Sequence, residues 1–450
     1  MIIINGKIVT WTKPNKILIG QAIRIIGNKI TNIEDKNILL NLFPDDEVLD
    51  ARDQYIMPGL ICAHTHFYGA YSRGLSIPTG APASFPEILR DLWWTLDKSL
   101  DEKSVYYSAW VSVIDAIKHG TTTLFDHHAS PNFISDSLDV ISDVVDISGI
   151  RASLCYEVSD RDGIERADSG INENIRFLKR INSENNLSGR LAGTFGLHAS
   201  LTLSQTTLEK VKTSMLDDQG IHIHVAEHPV DEYDSLKKSQ KRVVDRLNDL
   251  SLLGENSIVA HAVHVDAKEI SILASTGAWV THQPRSNMNN AVGIGNMESL
   301  MRAGVKVCLG NDGFSNTMWD EWKTAYLVHK LVNQDPRRMS GYDVVEMAIY
   351  HNAALSSKHF KKPIGTIEEG AQADLIFVEY LPFTPVTEEN IPWHILFGMH
   401  HSMISATIIA GKIIRKNYTF VDIDEQAILA KAFEQSKIVW KKYSDQFQLI

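Results

Sequence analysis

Between Pro58 and Gly310, eight short apolar runs alternate with longer helix-periodic stretches, at 59–64, 121–126, 151–156, 191–198, 221–225, 258–261, 279–282 and 305–310. No other feature of the chain constrains its fold as tightly. Strand-length apolar segments separated by crossover helices build a parallel sheet buried on both faces. The stretch 104–119 is one such helix, with Val105, Ala109, Val113 and Ala116 on one face, and 298–303 is another, before the last run. Eight strand–helix units over roughly 300 residues predict an α/β fold, a (β/α)8 TIM barrel. It is assigned to residues 58–364.

The flanks have a different texture. Residues 2–4, 8–11, 22–26, 30–33 and 47–49 read as short strands, separated by turn signals such as Asn5-Gly6 and Gly27-Asn28, so residues 1–57 are expected to be all-β. Strand texture returns at 374–378, 404–409 and 411–415, where Ala410-Gly411-Lys412-Ile413-Ile414 echoes Asn5-Gly6-Lys7-Ile8-Val9. The two ends, 1–57 and 365–420, are therefore expected to build one small β-sandwich. Residues 421–450 should form a final helix, packed through Leu429, Phe433, Ser436, Trp440 and Tyr443.

In a barrel the reactive groups stand at the carboxyl ends of the strands. His64 and His66, in His64-Thr65-His66, close the first run two residues apart, and a strand's period of two turns both imidazoles to one side. The fifth run, Ile221-His222-Ile223-His224-Val225, is followed by Glu227; the sixth ends at His261, the seventh at His282, and Asp312 follows the eighth. Burying so many polar groups without partners would cost about 1–3 kcal/mol each. A shared cation removes that cost. Nitrogen-rich ligation suits zinc first and ferrous iron second, not magnesium or calcium.

Composition narrows the partners. Lys and Arg number 44 against 55 Asp and Glu, a net charge of −11, which repels nucleic acid and anionic membrane surfaces. The N-terminus shows no signal-peptide pattern and no apolar run spans a bilayer, so a cytoplasmic protein with a small-molecule substrate is expected. Cys62, Cys155 and Cys308 form no Cys-x-x-Cys pair and are expected in the core.

The strings Met57-Pro58-Gly59-Leu60-Ile61-Cys62-Ala63-His64-Thr65-His66, Gly120-Thr121-Thr122-Thr123, Phe195-Gly196-Leu197-His198-Ala199-Ser200, His224-Val225-Ala226-Glu227, Ala260-His261-Ala262-Val263-His264 and Leu309-Gly310-Asn311-Asp312-Gly313 resemble the amidohydrolase superfamily. They are closest to its cytosine deaminase and triazine chlorohydrolase-like branch. Phe85-Pro86-Glu87-Ile88-Leu89-Arg90-Asp91-Leu92-Trp93-Trp94 and Asn311-Asp312-Gly313-Phe314-Ser315 are similar to SsnA-like aminohydrolases within it. The resemblance implies one divalent metal on His64, His66, His224 and Asp312, with Glu227, His261 and Asp312 handling protons. Two-metal members carry a lysine on the fourth strand, which is absent from 191–196. A metal lowers the pKa of water from about 15.7 towards about 7, making hydroxide available near neutrality. Together these residues imply hydrolytic deamination of an amino-substituted purine-, pyrimidine-, pterin- or triazine-like ring, with release of ammonia.

A cyclic amide or imidazolone ring hydrolase would use the same metal, and a non-enzymatic assembly subunit would show a broken site. His198 and His128 are candidate substrate contacts. His127, His222, His264, His282 and Glu87 are left open between substrate, supporting and packing roles. Asn287 is a candidate brace, and Trp93-Trp94 are expected in the core. The resemblance also implies a homo-oligomer, a dimer or larger.

Overall fold

Burial on both faces turns the apolar runs into parallel strands. In the computed structural model, which describes residues 1–183, 186–216 and 218–448, Leu60–Thr65, Thr121–His128, Arg151–Tyr156 and Leu191–Gly193 make a four-stranded parallel sheet. Phe195–Ala199, Ile221–Val225, Ile258–His261, Trp279–His282 and Val307–Leu309 make a five-stranded one. The expected fourth run is thus split at Thr194. Its first half pairs with Arg151–Tyr156 and its second with Ile221–Val225, so the chain changes partners there.

The two sheets touch at both edges, through parallel bridges Val158↔Leu197 and Thr65↔Asp312. Glycine permits both approaches. A Cβ on Gly196 would lie 2.2 Å from the Tyr156 carbonyl oxygen, and one on Gly310 would lie 2.8 Å from the His64 backbone.

Between the strands run helices such as Glu102–Lys118, whose first turn is capped by the Asp101 carboxylate accepting from Ser104 N–H. The apolar core joins these helices to the outer faces of both sheets. All three cysteines are buried and free. Among the described residues no helix is long and apolar enough to cross a membrane.

The terminal segments share a sheet. Tyr55–Pro58 pairs with Lys7–Val9 on one side and antiparallel with Leu375–Val378 on the other, within a seven-stranded sheet that continues through Ile404–Ile409 and Lys412–Lys416. Ile2–Ile4, Gln21–Ile26, Lys29–Asp35 and Val48–Asp50 form a separate four-stranded sheet. Ile3, Ile23 and Leu49 from that sheet and Ile56, Phe377 and Ile408 from the other belong to one buried cluster.

Two expectations are corrected here. Residues 1–57 are not all-β: Lys36–Leu42 is a helix, because Asp35 caps it by accepting from Asn37 and Ile38 N–H, and Leu39 packs against Ile2 and Ala22. The final helix, Glu425–Gln446, buries Ala432, Gln435, Val439 and Tyr443, whereas Leu429 and Phe433 face solvent. It is pinned by Tyr443 O–H donating to Asp91 O at 2.6 Å and Trp440 Nε1–H to Tyr71 O at 2.8 Å. Residues 449 and 450 of the expected helical segment lie outside the described residues.

Candidate active site

The carboxyl ends of the parallel strands converge on three imidazoles and a carboxylate. His64 Nε2 and His66 Nε2 lie 3.3 and 2.9 Å from Asp312 Oδ1, and His66 Nε2 is 3.2 Å from His224 Nε2. One ligand atom from each of these four residues falls within 4.8 Å of all the others.

Each ring is anchored through its other nitrogen. His66 Nδ1–H donates to the His127 carbonyl at 2.6 Å and His224 Nδ1–H to the His198 carbonyl at 2.8 Å; a carbonyl only accepts, so these contacts fix the tautomer. His64 Nδ1 stands 2.8 Å from His222 Nε2, which makes His222 the residue that orients His64 from deeper in the sheet.

Burial lowers His64 to about 3 and His224 well below the usual imidazole range, leaving both neutral, the form that ligates. His66 goes the other way: burial would depress it, but the hydrogen bond to Asp312 lifts it to about 9. His64 Nε2 is buried without a hydrogen-bond partner. An orphaned nitrogen and a carboxylate that draws positive charge onto its neighbours both fit a divalent cation at the point where the four groups meet.

Beside this cluster stand the expected proton-handling groups. Glu227 Oε2 is 3.5 Å from His261 Nε2, and burial raises the Glu227 pKa although the neighbouring His261 opposes it. A short helix, Pro284–Asn289, and the residue after it brace all three. Ser286 O–H donates to Asp312 Oδ2 at 2.5 Å, Asn287 Oδ1 lies 2.8 Å from His261 Nδ1, and Asn290 Nδ2–H donates to Glu227 Oε1 at 3.4 Å. Asn287 was visible in sequence as a candidate brace, but Ser286 and Asn290 were not. The backbone is strained at the same places: Ala226, His261 and Asp312 have φ of +48°, +72° and +60°. Left-handed backbone costs an ordinary residue about 1–2 kcal/mol, and here it falls where strands must turn their side chains inward.

A cavity opens above the cluster, with His66, His224, Glu227 and Asp312 on one side and Tyr68, Phe85, Leu89 and Trp93 on the other. Trp93 lines it, contrary to the core reading, because the segment Phe85–Asp97 is helical and its apolar residues pack over the cavity with Val292. Glu87 does not line it; its Oε2 accepts from Ala83 N–H at 2.7 Å.

His198 lines the cavity, with Nδ1 2.6 Å from Thr202 Oγ1. His128 is not among the lining residues. Adjacent residues on the strand Thr121–His128 face opposite ways, and its Nε2 lies 2.8 Å from Ser130 Oγ. His127 points inward instead, its Nε2–H shared by the Leu197 and His222 carbonyls, each at 3.0 Å. His264 Nε2–H donates to Val292 O at 2.8 Å, and His282 meets His329 beneath the site at 3.1 Å; both are structural contacts.

Sequence reasoning missed Glu157. It follows the strand Arg151–Tyr156 directly, is 4% exposed, and lines the cavity next to His198. Burial would raise its pKa, but His198, His127 and Arg161 together hold it well below the usual carboxylate range. The signal was present: it is a carboxylate just past a strand end, as Glu227 is.

Comparison with known proteins agrees with this geometry. A model of the amidohydrolase family matches residues 55–414. The chain is 32% identical to a 5-methylthioadenosine/S-adenosylhomocysteine deaminase of Thermococcus sibiricus, over 89% of this chain and 93% of that one. It is 30% identical to a 5'-deoxyadenosine deaminase of Methanobrevibacter smithii, over 89% of each. In fold it is similar to a crystal structure of an adenosine deaminase from Xanthomonas campestris with bound zinc, with a TM-score of 0.82 at 22% identity, covering 100% of this chain and 98% of the other.

Proposed function

Because this chain belongs to the amidohydrolase family, we propose that it is a hydrolytic deaminase of a purine-like amino-heterocycle, working at one divalent metal held by His64, His66, His224 and Asp312. The observation that carries the reading is the convergence of those four ligand atoms within 4.8 Å, each imidazole backed by a hydrogen bond at its other nitrogen. The named activities of the relatives support the purine class. The nitrogen-rich donor set supports zinc.

When bound, the metal acts as a Lewis acid and lowers the pKa of water towards about 7. The remaining work falls to the chain. Asp312, steadied by Ser286, takes a proton from the attacking water. His261, its Nδ1–H donating to Asn287 Oδ1, presents the Nε2 lone pair to the attacking water, accepting from its O–H and so orienting the oxygen. Glu227, raised by burial, protonates a ring nitrogen, passes the proton it receives from Asp312 to the departing amine, and is restored by the hydroxyl proton of the adduct. The water oxygen bonds to the ring carbon, the C–N bond breaks, and nitrogen leaves as ammonia. Phe85, Leu89 and Trp93 cover the heterocycle and exclude bulk water.

On the same reading the parallel strands close as a (β/α)8 barrel over 58–364, with a β-sandwich from 1–57 and 365–420 and the final helix within 421–450. The edge bridges Val158↔Leu197 and Thr65↔Asp312 support closure.

The test is ammonia release across a panel of amino-purines, amino-pyrimidines and amino-triazines by protein of assayed metal content. Glu227→Gln should keep its metal and lose turnover. A variant as active as the parent refutes the proton-transfer role, and ring opening without ammonia refutes the deaminase reading.

A further inference from the structure

The apolar roof of the cavity comes from two segments. Tyr68 belongs to the turn Phe67–Ser72, which follows His66, and Phe85, Leu89 and Trp93 belong to 85–97. Tyr68 and Trp93 meet edge to face with ring centres 6.3 Å apart. Trp93 also lies against Gly313, where a Cβ would stand 3.3 Å from the indole, so the glycine lets the roof rest on the turn that carries Asp312. The middle of 85–97, Ile88–Trp93, is a π-helical turn closed by Trp94 N–H donating to Leu89 O. That winding is rare, and where it occurs it is mostly a single turn at a functional site.

Both roof segments hang from one face of the final helix, Glu425–Gln446. Trp440, Tyr443 and Gln446 follow one another at intervals of three residues and so line up along it. Trp440 Nε1–H donates to Tyr71 O at 2.8 Å, Tyr443 O–H to Asp91 O at 2.6 Å, and Gln446 Nε2–H to Thr95 O at 2.9 Å. All three acceptors are backbone carbonyls of the roof. The helix is fixed in turn to the body: Gln435 Nε2–H donates to Ser104 Oγ at 2.9 Å and Lys118 pairs with Glu425 at 2.7 Å, Ser104 and Lys118 both lying on Glu102–Lys118. Trp440, Tyr443 and Gln446 do not themselves line the cavity.

We infer that the final helix is a strut that fixes the roof in its closed position, and that Tyr443 and Gln446 are positioning residues for substrate binding, acting through the backbone of 85–97. The inference rests on the deaminase reading for its substrate and on the geometry alone for the strut. Bound substrate and transition state lie under the same roof, so loosening it weakens both alike: KM rises while kcat holds. A roof that is closed for a smaller fraction of the time lowers apparent affinity by that fraction.

Tyr443→Phe keeps the ring in the core and deletes only the hydroxyl; Gln446→Ala, near the end of the helix, serves if the first variant fails to fold. Hydrogen exchange on zinc-loaded, substrate-free protein should find the amides of 85–97 exchanging roughly two- to tenfold faster than in wild type, the worth of one hydrogen bond, with Leu60–Thr65 and Ile221–Val225 unchanged. Ammonia release from the amino-purine that wild type turns over fastest should show KM raised by a similar factor and kcat within about twofold. A merely structural bond would lower the thermal midpoint and move neither. Unchanged exchange over 85–97 in a folded variant overturns the inference, as does faster exchange with an unmoved KM. If wild type releases ammonia from no amino-heterocycle, the deaminase reading falls by itself, and the exchange comparison still decides the strut.

Discussion

Replacing Asn287 by Ala isolates one bond that aims the chemistry. Asn287 and His261 are both 0% exposed, and the acceptor Oδ1 is 2.8 Å from His261 Nδ1. With Asn287 truncated, His261 Nδ1–H is left buried without a partner, a desolvation penalty of about 1–3 kcal/mol. The ring can escape by moving its proton to Nε2, but then the lone pair directed at the attacking oxygen is lost. Either way the cost falls on the attack step, because the Nε2 lone pair orients the attacking water rather than the bound substrate. At about 1.4 kcal/mol per tenfold, kcat should fall roughly 5- to 150-fold. KM should change little. Steady-state ammonia release, with metal content and thermal midpoint measured in parallel, reads the effect, and Asn287→Asp, which keeps an acceptor, should recover part of it. A kcat within twofold of wild type in a metal-loaded, folded Asn287→Ala protein would refute the claim that this bond sets the tautomer.

Chelation should lower the thermal midpoint reversibly, since any ion that binds only the folded site at a hundred times its dissociation constant adds about 2.7 kcal/mol; scanning calorimetry before and after zinc is restored checks this. His359 offers a pH test remote from the metal-binding cluster. Its Nε2 is buried without a partner and burial lowers it from 6.5 to about 4, so between those values the unfolded chain binds a proton that the folded chain refuses. Stability is therefore lost as pH falls through that window, by up to roughly 3 kcal/mol from this residue. His359→Phe should flatten the urea midpoint between pH 6.5 and 4 relative to wild type, and parallel curves would contradict it.

His64, His66 and His224 could be read from the chain because a strand's period of two is rigid. Once 59–64 and 221–225 were strands, their imidazoles had to share a side, and the structure places them so. Glu157 escaped the same logic because it sits one residue beyond an apolar run and no histidine precedes it to draw notice. Ser286 and Asn290 are illegible for a different reason: they act from a six-residue helix and the residue that caps it, whose direction depends on tertiary contacts, not on any pattern of its own. The helix Lys36–Leu42 has seven residues, too few for periodicity to separate it from a strand, and is decided by the Asp35 cap. On the final helix, the stripe at Leu429 and Phe433 shows that apolar spacing names a face but not the neighbour that will cover it.

The bridge Thr65↔Asp312 has a consequence in time as well as in space. Thr65 and Asp312 stand 247 residues apart, and the Thr65 hydroxyl donates to the Asp312 carbonyl at 2.8 Å. The carboxylate that completes the donor set thus reaches the two imidazoles of the first strand only when the last strand of the array has docked. During synthesis the ribosome delivers His64 and His66 long before Asp312, and a contact of such separation is among the slowest to form. The four-residue cluster is therefore incomplete in every shorter nascent chain and closes only as the last strand comes home.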